Sequence, residues 1–100
     1  MVKYNFDKDK LKVCLSGDLD TKEAIYLRKE LLDYINKGYH NIVVDVENLD
    51  YIDSTGLGVL VTANKLVQKT DGQVYIEGLK GHVKKIFELT RLNKVFHIGV

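Results

Sequence analysis

The sequence predicts an α/β fold, in which a mixed, mostly parallel β-sheet packs against α-helices. Three longer segments repeat apolar residues every three to four positions, the period of an amphipathic helix, and shorter apolar runs between them indicate strands. The resulting order is β-β-α-β-α-β-α-β, and this alternation is typical of parallel strands joined by helices. With 100 residues and 45% hydrophobic content, we expect one domain over residues 1–100.

The chain is predicted to begin with a hairpin and a helix. Apolar residues alternate with more polar ones in the strand 11–15, and a KDK turn separates this strand from a shorter one at 4–6. An antiparallel pair here would make the sheet mixed. Helical spacing then extends over 21–38, where Asp20 and Glu23 are placed for a capping box and a glycine ends the helix.

The rest of the chain alternates strands and helices. Residues 41–46 are apolar at nearly consecutive positions, as expected of a central strand covered on both faces. Helical spacing predicts helices at 54–69 and 81–90, with the strand 74–77 between them and a last short strand at 95–100. The inner face of the last helix is predicted to contain Val83, Ile86, Phe87 and Leu89.

The composition argues against several classes of function. The formal net charge is +1, without the strong basic excess that binding to a phosphate backbone needs, so no nucleic-acid partner is expected. No apolar segment has the form of a signal peptide or approaches the roughly 20 residues that cross a bilayer, so we expect a cytoplasmic protein without membrane contact. Cys14 is the only cysteine, which rules out an intramolecular disulfide, and its apolar surroundings predict a buried thiol.

A polar segment, LDYIDST, joins the central strand to the second predicted helix and is the best candidate for a site. In parallel sheets, sites form where the carboxyl ends of strands meet helix amino termini. The chain has two such junctions, at Asp20 and at Ser54, and neighbouring strands would bring them together. Gly56 and Gly58 weaken the second helix, because each interior glycine costs about 0.5–1 kcal/mol relative to alanine. A surface that another protein approaches closely would explain both glycines.

Four roles fit Ser54 to different degrees. In the simplest, Ser54 or Asp53 only caps the helix, which contributes about 1 kcal/mol but leaves the glycines unexplained. A catalytic serine needs a nearby base and usually a G-x-S-x-G elbow, but the elbow is absent, and His40, His82 and His97 lie in unrelated contexts. The histidines also lack the spacing of a metal site, so neither a metal nor another cofactor is expected.

The third role is a small nucleotide- or anion-binding domain that uses the helix amino terminus at Ser54. No G-K-[ST] motif is present, and Asp45, Glu47, Asp50 and Asp53 crowd the approach without a Lys or Arg among them.

The fourth role is a phosphorylation switch. A phosphate on Ser54 would add about −1.5 to −2 charges to this acidic surface, which the helix amino terminus tolerates but a docked partner would feel as repulsion.

The sequence resembles the bacterial anti-sigma factor antagonists, which are single-domain STAS proteins. Two segments carry the resemblance, GDLDTKEAIYLRKEL and NIVVDVENLDYIDSTGLGVLV, and the match in order and spacing extends from the first strands to about Gly99. The combination of DSTGLG after a strand with GDLD upstream is specific. The resemblance implies a STAS fold and a non-enzymatic binding module in bacterial transcriptional regulation.

In that family, the serine after the aspartate is phosphorylated by a cognate anti-sigma factor with a serine-kinase ATPase fold, and a serine phosphatase removes the phosphate. The resemblance therefore implies that Ser54 is the phosphorylated residue, with Thr55 as the rival acceptor. The unmodified protein would bind the anti-sigma factor and free the sigma factor, and phosphorylation would end this binding. The resemblance also implies a partner-binding surface made of Asp20, Thr21, Asp53, Thr55, Gly56, Leu57 and Gly58.

Overall fold

The computed structural model describes residues 1–99, which form a five-stranded sheet with three α-helices. The elements are β1 (Val2–Asp7), β2 (Lys10–Leu19), α1 (Thr21–Asn36), β3 (Asn41–Ile52), α2 (Ser54–Gln68), β4 (Gln73–Glu77), α3 (Gly81–Leu89), a 3-10 helix (Leu92–Lys94) and β5 (His97–Ile98). The strands lie side by side in chain order. β1 pairs with β2 antiparallel and the other pairs are parallel, so the predicted mixed, mostly parallel fold is confirmed.

The three helices pack on the same face of the sheet. The parallel strands are neighbours in chain order, and the strand–helix–strand connections between them all have the same handedness. Each connection therefore places its helix on the same side of the sheet. Alternate residues of β2, β3 and β4 point to that side and join the helices in one core, which includes Leu27 and Phe87. The prediction that β3 is covered on both faces is therefore wrong. On the other face, Val43 is buried between its cross-strand neighbours Lys12 and Tyr75.

β2 and β3 continue further than the sequence predicts. The polar segments that follow residues 15 and 46, predicted as loops, pair in parallel up to Leu19 and Ile52, with register irregularities on the way. The pairing is favourable because Leu19, Leu49 and Ile52 are all buried in the core. The irregular register disrupts the alternation of apolar and polar residues, so periodicity alone does not reveal these strand ends.

Three smaller predictions differ from the structure. Leu89 is 82% exposed, because it lies on the opposite side of α3 from the buried Phe87. The last strand is shorter than predicted, with two residues in β5, and Val100 lies outside the described residues. Cys14 is half-buried on the helix-free face instead of buried. In residues 1–99, the helices are too short or too polar to span a bilayer.

Candidate functional site

The two junctions between parallel strands and helices lie side by side, as predicted. β2 and β3 are neighbours, and the last pair in their register joins Leu19 to Ile52. α1 and α2 therefore begin next to each other at the same edge of the sheet. Across the junction, the hydroxyl of Thr21 donates a hydrogen bond to Oδ2 of Asp53 at 2.8 Å, which connects the amino terminus of α1 to that of α2.

Each of these helices is capped by the aspartate that precedes it. Oδ1 of Asp20 accepts a bond from the Glu23 N–H at 2.9 Å, and Oδ1 of Asp53 accepts one from the Gly56 N–H at 3.0 Å. The predicted capping box is half present, since the Glu23 carboxylate returns no bond to Asp20 within residues 1–99. Because Asp53 is the N-cap of α2, the capping role considered for Ser54 belongs to Asp53.

The Ser54 side chain is exposed at the first position of α2. In the part of the chain that the structure describes, its hydroxyl makes no hydrogen bond, and the cap of α2 is supplied by Asp53. Thr55, the rival acceptor, is partly buried at the next position. An exposed hydroxyl that the fold does not use can be modified without the loss of a structural hydrogen bond.

The two glycines of α2 have different explanations. At Gly56, a Cβ atom would lie 2.8 Å from Cγ1 of Ile52 and 3.0 Å from Cδ2 of Leu19, and both side chains are buried. Close packing of α2 on the strand ends therefore requires this glycine, and the prediction that it shapes an outer surface is wrong. Leu57 is also buried, so neither residue presents a side chain to a partner. At Gly58, a Cβ atom would meet nothing within 4 Å, so internal packing does not explain this glycine.

Thr21 and Ser54 are the first residues of α1 and α2, and each begins a row of exposed residues along its helix. Gly58 lies one turn after Ser54, and Ile25 lies one turn after Thr21 with 59% of its surface exposed. α1 and α2 pack against each other, and the bond from Thr21 to Asp53 fixes how their first turns meet. The sequence predictions omit Ile25. The signal that could have found it is an apolar residue on the outer face of an amphipathic helix, one turn from Thr21.

The edge of the sheet near Ser54 is acidic. Asp18, Asp20 and Asp50 are exposed at the ends of β2 and β3, and none of them forms an ion pair among residues 1–99. Asp45 differs from the other acids of its segment, because it lies 4.0 Å from the Lys12 ammonium on the helix-free face. Groups of three or more His, Cys, Asp or Glu placed to hold a metal ion are absent from the described residues.

Replacing Thr21 with valine should raise the pKa of Asp53. The Gly56 N–H, which has the larger effect, and the Thr21 hydroxyl both donate to the Asp53 carboxylate and lower its pKa below the usual value. The variant loses only the second donor, so we expect the pKa to rise but to stay below that of a free aspartate. An NMR titration of the Asp53 carboxyl measures this change.

The lowered pKa of Asp53 also determines how its contribution to the stability of the fold depends on pH. Because the folded-state pKa of Asp53 is the lower one, its stabilisation is present above the unfolded-state pKa and is lost as the pH falls through the folded-state pKa. The Thr21→Val variant should lose it at a higher pH. Thr55→Val is the matched control, since the Thr55 side chain does not bond to Asp53. An Asp53 pKa that is equal in the wild type and in Thr21→Val would contradict the proposed bridge.

Comparison with known proteins identifies the class that this fold and site define. The model of the STAS domain family matches residues 2–99, so the chain belongs to the STAS domain family. A putative anti-sigma factor antagonist of Bordetella bronchiseptica is 33% identical over 86 residues, which cover 86% of this chain and 74% of the relative. The anti-sigma-B factor antagonist of Staphylococcus aureus is 33% identical over 87 residues, which cover 87% of this chain and 81% of the relative. The resemblance stated from the sequence is confirmed.

Solved structures of related proteins share the fold. A putative anti-sigma factor antagonist from Thermotoga maritima matches with a TM-score of 0.90 at 26% identity, over 97% of this chain and 84% of that one. The phosphorylated form of the Bacillus cell fate determinant SpoIIAA matches with a TM-score of 0.82 at 16% identity, over 100% of this chain and 92% of that one. At the lower identity, the likeness concerns the fold alone.

Proposed function

We propose that this protein is an anti-sigma factor antagonist in which Ser54 is the phosphorylated switch residue. The names of its curated relatives support the first part. The observation that supports the second is the exposed Ser54 hydroxyl, which has no bonding role among residues 1–99 because Asp53 caps α2. The protein acts as a cytoplasmic binding module, and catalysis belongs to its partners.

The unmodified protein binds the anti-sigma factor through the surface around Ser54, and this binding frees the sigma factor. Gly58 leaves the backbone of α2 open to close approach, and Ile25 supplies an exposed apolar group on the neighbouring helix α1. The acidic residues at the rim, with Asp20 nearest to Thr21, suit a partner whose docking surface is apolar at its centre and basic at its edge. Asp53 contributes indirectly, by holding the two helix amino termini together.

Phosphorylation of Ser54 switches this binding off. The phosphate carries about −1.5 to −2 charges, and it stands in the middle of the docking surface, where it would have to lose its hydration against the apolar centre of the partner and where its bulk blocks close contact. The fold tolerates the charge, because helix amino termini favour anions. The kinase is the anti-sigma factor itself, with a serine-kinase ATPase fold, and a serine phosphatase restores the binding form. These two reactions constitute partner switching.

A nucleotide- or anion-binding domain gains no support from this site. The Asp53 carboxylate already accepts the Gly56 N–H at the start of α2, where an anion would otherwise bind. The surrounding acids would repel a second anion. Covalent phosphorylation differs, because the phosphate is held by a bond to Ser54 and needs no favourable binding energy.

Mapping the phosphorylated residue tests the proposal. The protein is incubated with ATP and its cognate anti-sigma factor kinase, and mass spectrometry locates the added phosphate. We expect one phosphate on Ser54, none on the Ser54→Ala variant, and normal phosphorylation of the matched Thr55→Ala variant. A phosphate on Thr55, or no phosphate at all, would count against the assignment of Ser54.

A further inference from the structure

The outer edge of β1 presents free backbone groups to a further strand. β1 lies at the end of the strand order, so it pairs only with β2 in residues 1–99. The Met1 amino group donates to the Ser16 carbonyl at 2.8 Å, and the Ser16 N–H donates back to the Met1 carbonyl at 3.0 Å. Along an antiparallel ladder, hydrogen-bonded pairs alternate with pairs that are not hydrogen-bonded. Because Met1 and Ser16 form a bonded pair, the peptide groups of Val2, Tyr4 and Phe6 point away from β2, to the free edge.

This edge strand is ordered and has few of the features that protect such edges. Its six residues pair with β2 without a bulge, and the sequence contains no proline. Its core-side residues are anchored, since the Tyr4 hydroxyl donates to Oε1 of Glu30 at 2.9 Å and the Phe6 ring contacts the Tyr34 ring edge-on with centroids 5.1 Å apart. A strand that is already ordered loses little conformational entropy when another strand pairs with it.

The side chains of β1 are complementary to a second copy of the same strand. On the helix-free face, the exposed residues run Lys3, Asn5, Asp7, with a positive charge at one end and a negative charge at the other. Neither Lys3 nor Asp7 forms an ion pair within residues 1–99. When two copies run antiparallel about an axis through Asn5, Lys3 of each copy faces Asp7 of the other.

We propose that β1 is a self-association surface, through which two copies of this chain join their sheets edge to edge. In the register centred on Asn5, Tyr4 of one copy faces Phe6 of the other, and the peptide groups of both residues point across the interface. Phe6 is 49% exposed in the single chain and becomes covered by this pairing. The two outer ion pairs select the antiparallel orientation, because parallel strands in register would place like charges together.

Self-association through β1 does not depend on the switch proposed at Ser54. Ser54 belongs to α2, which follows β3, and β3 is separated from the free edge by β2. Pairing through β1 therefore leaves both Ser54 side chains exposed. The contact is a single strand pair, well below the area of a stable dimer interface, so the dimer should form at high concentration and low salt.

Charge exchange tests the pairing. Sedimentation of the full chain over a concentration series at low salt should reveal a monomer–dimer equilibrium. Lys3→Glu and Asp7→Lys should each weaken the dimer by about tenfold or more, because each places two like-charge pairs in the interface, and the double variant should regain wild-type association. Lys84→Glu, on the exposed face of α3, is the control that should have no effect. A chain that stays monomeric at millimolar concentration, or a double variant that does not recover, would overturn the proposal.

Cross-linking tests the register. Asn5 lies on the axis in a pair without ladder bonds, where opposite Cα atoms are about 4.5 Å apart and within reach of a disulfide. Asn5→Cys, in a Cys14→Ser background and oxidised with glutathione disulfide, should give a covalent dimer. Lys84→Cys in the same background is the control for random collision of exposed thiols and should not, because it lies on the exposed face of α3, away from β1. Failure of Asn5→Cys to cross-link, or equal cross-linking by both variants, would refute the register.

Discussion

The Ser54→Asp variant is expected to bind the anti-sigma factor about 2–3 kcal/mol more weakly, or roughly 30- to 150-fold, than the wild type. The new carboxylate adds charge and bulk at an exposed position in the middle of the proposed docking surface. The fold should not suffer. An acid in the first turn of a helix contributes about 0.3–1 kcal/mol of stability, which offsets repulsion from the neighbouring Asp53. Calorimetric titration measures the affinity, and thermal unfolding measures the stability.

The matched control is Ser54→Ala. It removes a hydroxyl that makes no hydrogen bond in residues 1–99, so both the affinity for the anti-sigma factor and the thermal stability should stay close to those of the wild type. Binding of Ser54→Asp with wild-type affinity would contradict the switch. If both variants lose binding equally, the hydroxyl itself would be the contact, and charge would not be the cause.

Alanine substitutions at the two glycines of α2 should change stability in opposite directions. Gly56→Ala places a methyl group against Ile52 and Leu19, and overpacking of this kind costs about 1–3 kcal/mol, of which better helix propensity returns about 0.5–1 kcal/mol. Gly58→Ala points its methyl group into open space and should stabilise the protein by about 0.5–1 kcal/mol. Urea unfolding of the three proteins measures both changes.

The glycine pair also separates stability from binding. Gly58→Ala should weaken binding to the anti-sigma factor although it stabilises the fold, because its methyl group lies where the partner approaches the backbone. Gly56→Ala should retain the affinity of its folded fraction, since position 56 is buried. A Gly58→Ala variant that gains stability and binds as well as the wild type would remove Gly58 from the docking surface. Destabilisation by Gly58→Ala would contradict the open environment described for it.

The sequence predicts the order of the elements well, because each helix has a clear period and each strand lies between turn residues. It does not predict the full length of β2 and β3. Their last residues become strand only through pairing with each other, and burial of Leu49 and Ile52 stabilises that pairing. Such an interaction between segments distant in the chain leaves no regular pattern in either segment alone.

The sequence predicts only part of the site, because the rest again depends on contacts between segments that are distant in the chain. Spacing alone places Asp20 and Ser54 at neighbouring junctions, but it leaves the cap of α2 open between Asp53 and Ser54. The hydrogen bond that the Gly56 N–H donates to the Asp53 carboxylate assigns the cap to Asp53. The two glycines look alike in the sequence, whereas only Gly56 lies against the side chains of β2 and β3. Ile25 is not among the predicted residues although helical spacing places it on the outer face of α1, because a single exposed apolar residue is common on protein surfaces and does not by itself mark a site.

Titration of the anti-sigma factor with unmodified and with fully Ser54-phosphorylated protein tests the central claim most directly. Thermal unfolding of the same two samples is recorded alongside. We predict that the phosphorylated protein loses measurable binding while its unfolding midpoint stays close to that of the unmodified protein. Equal affinity of the two forms would contradict the switch, and unfolding of the phosphorylated form would contradict a mechanism that acts at the docking surface.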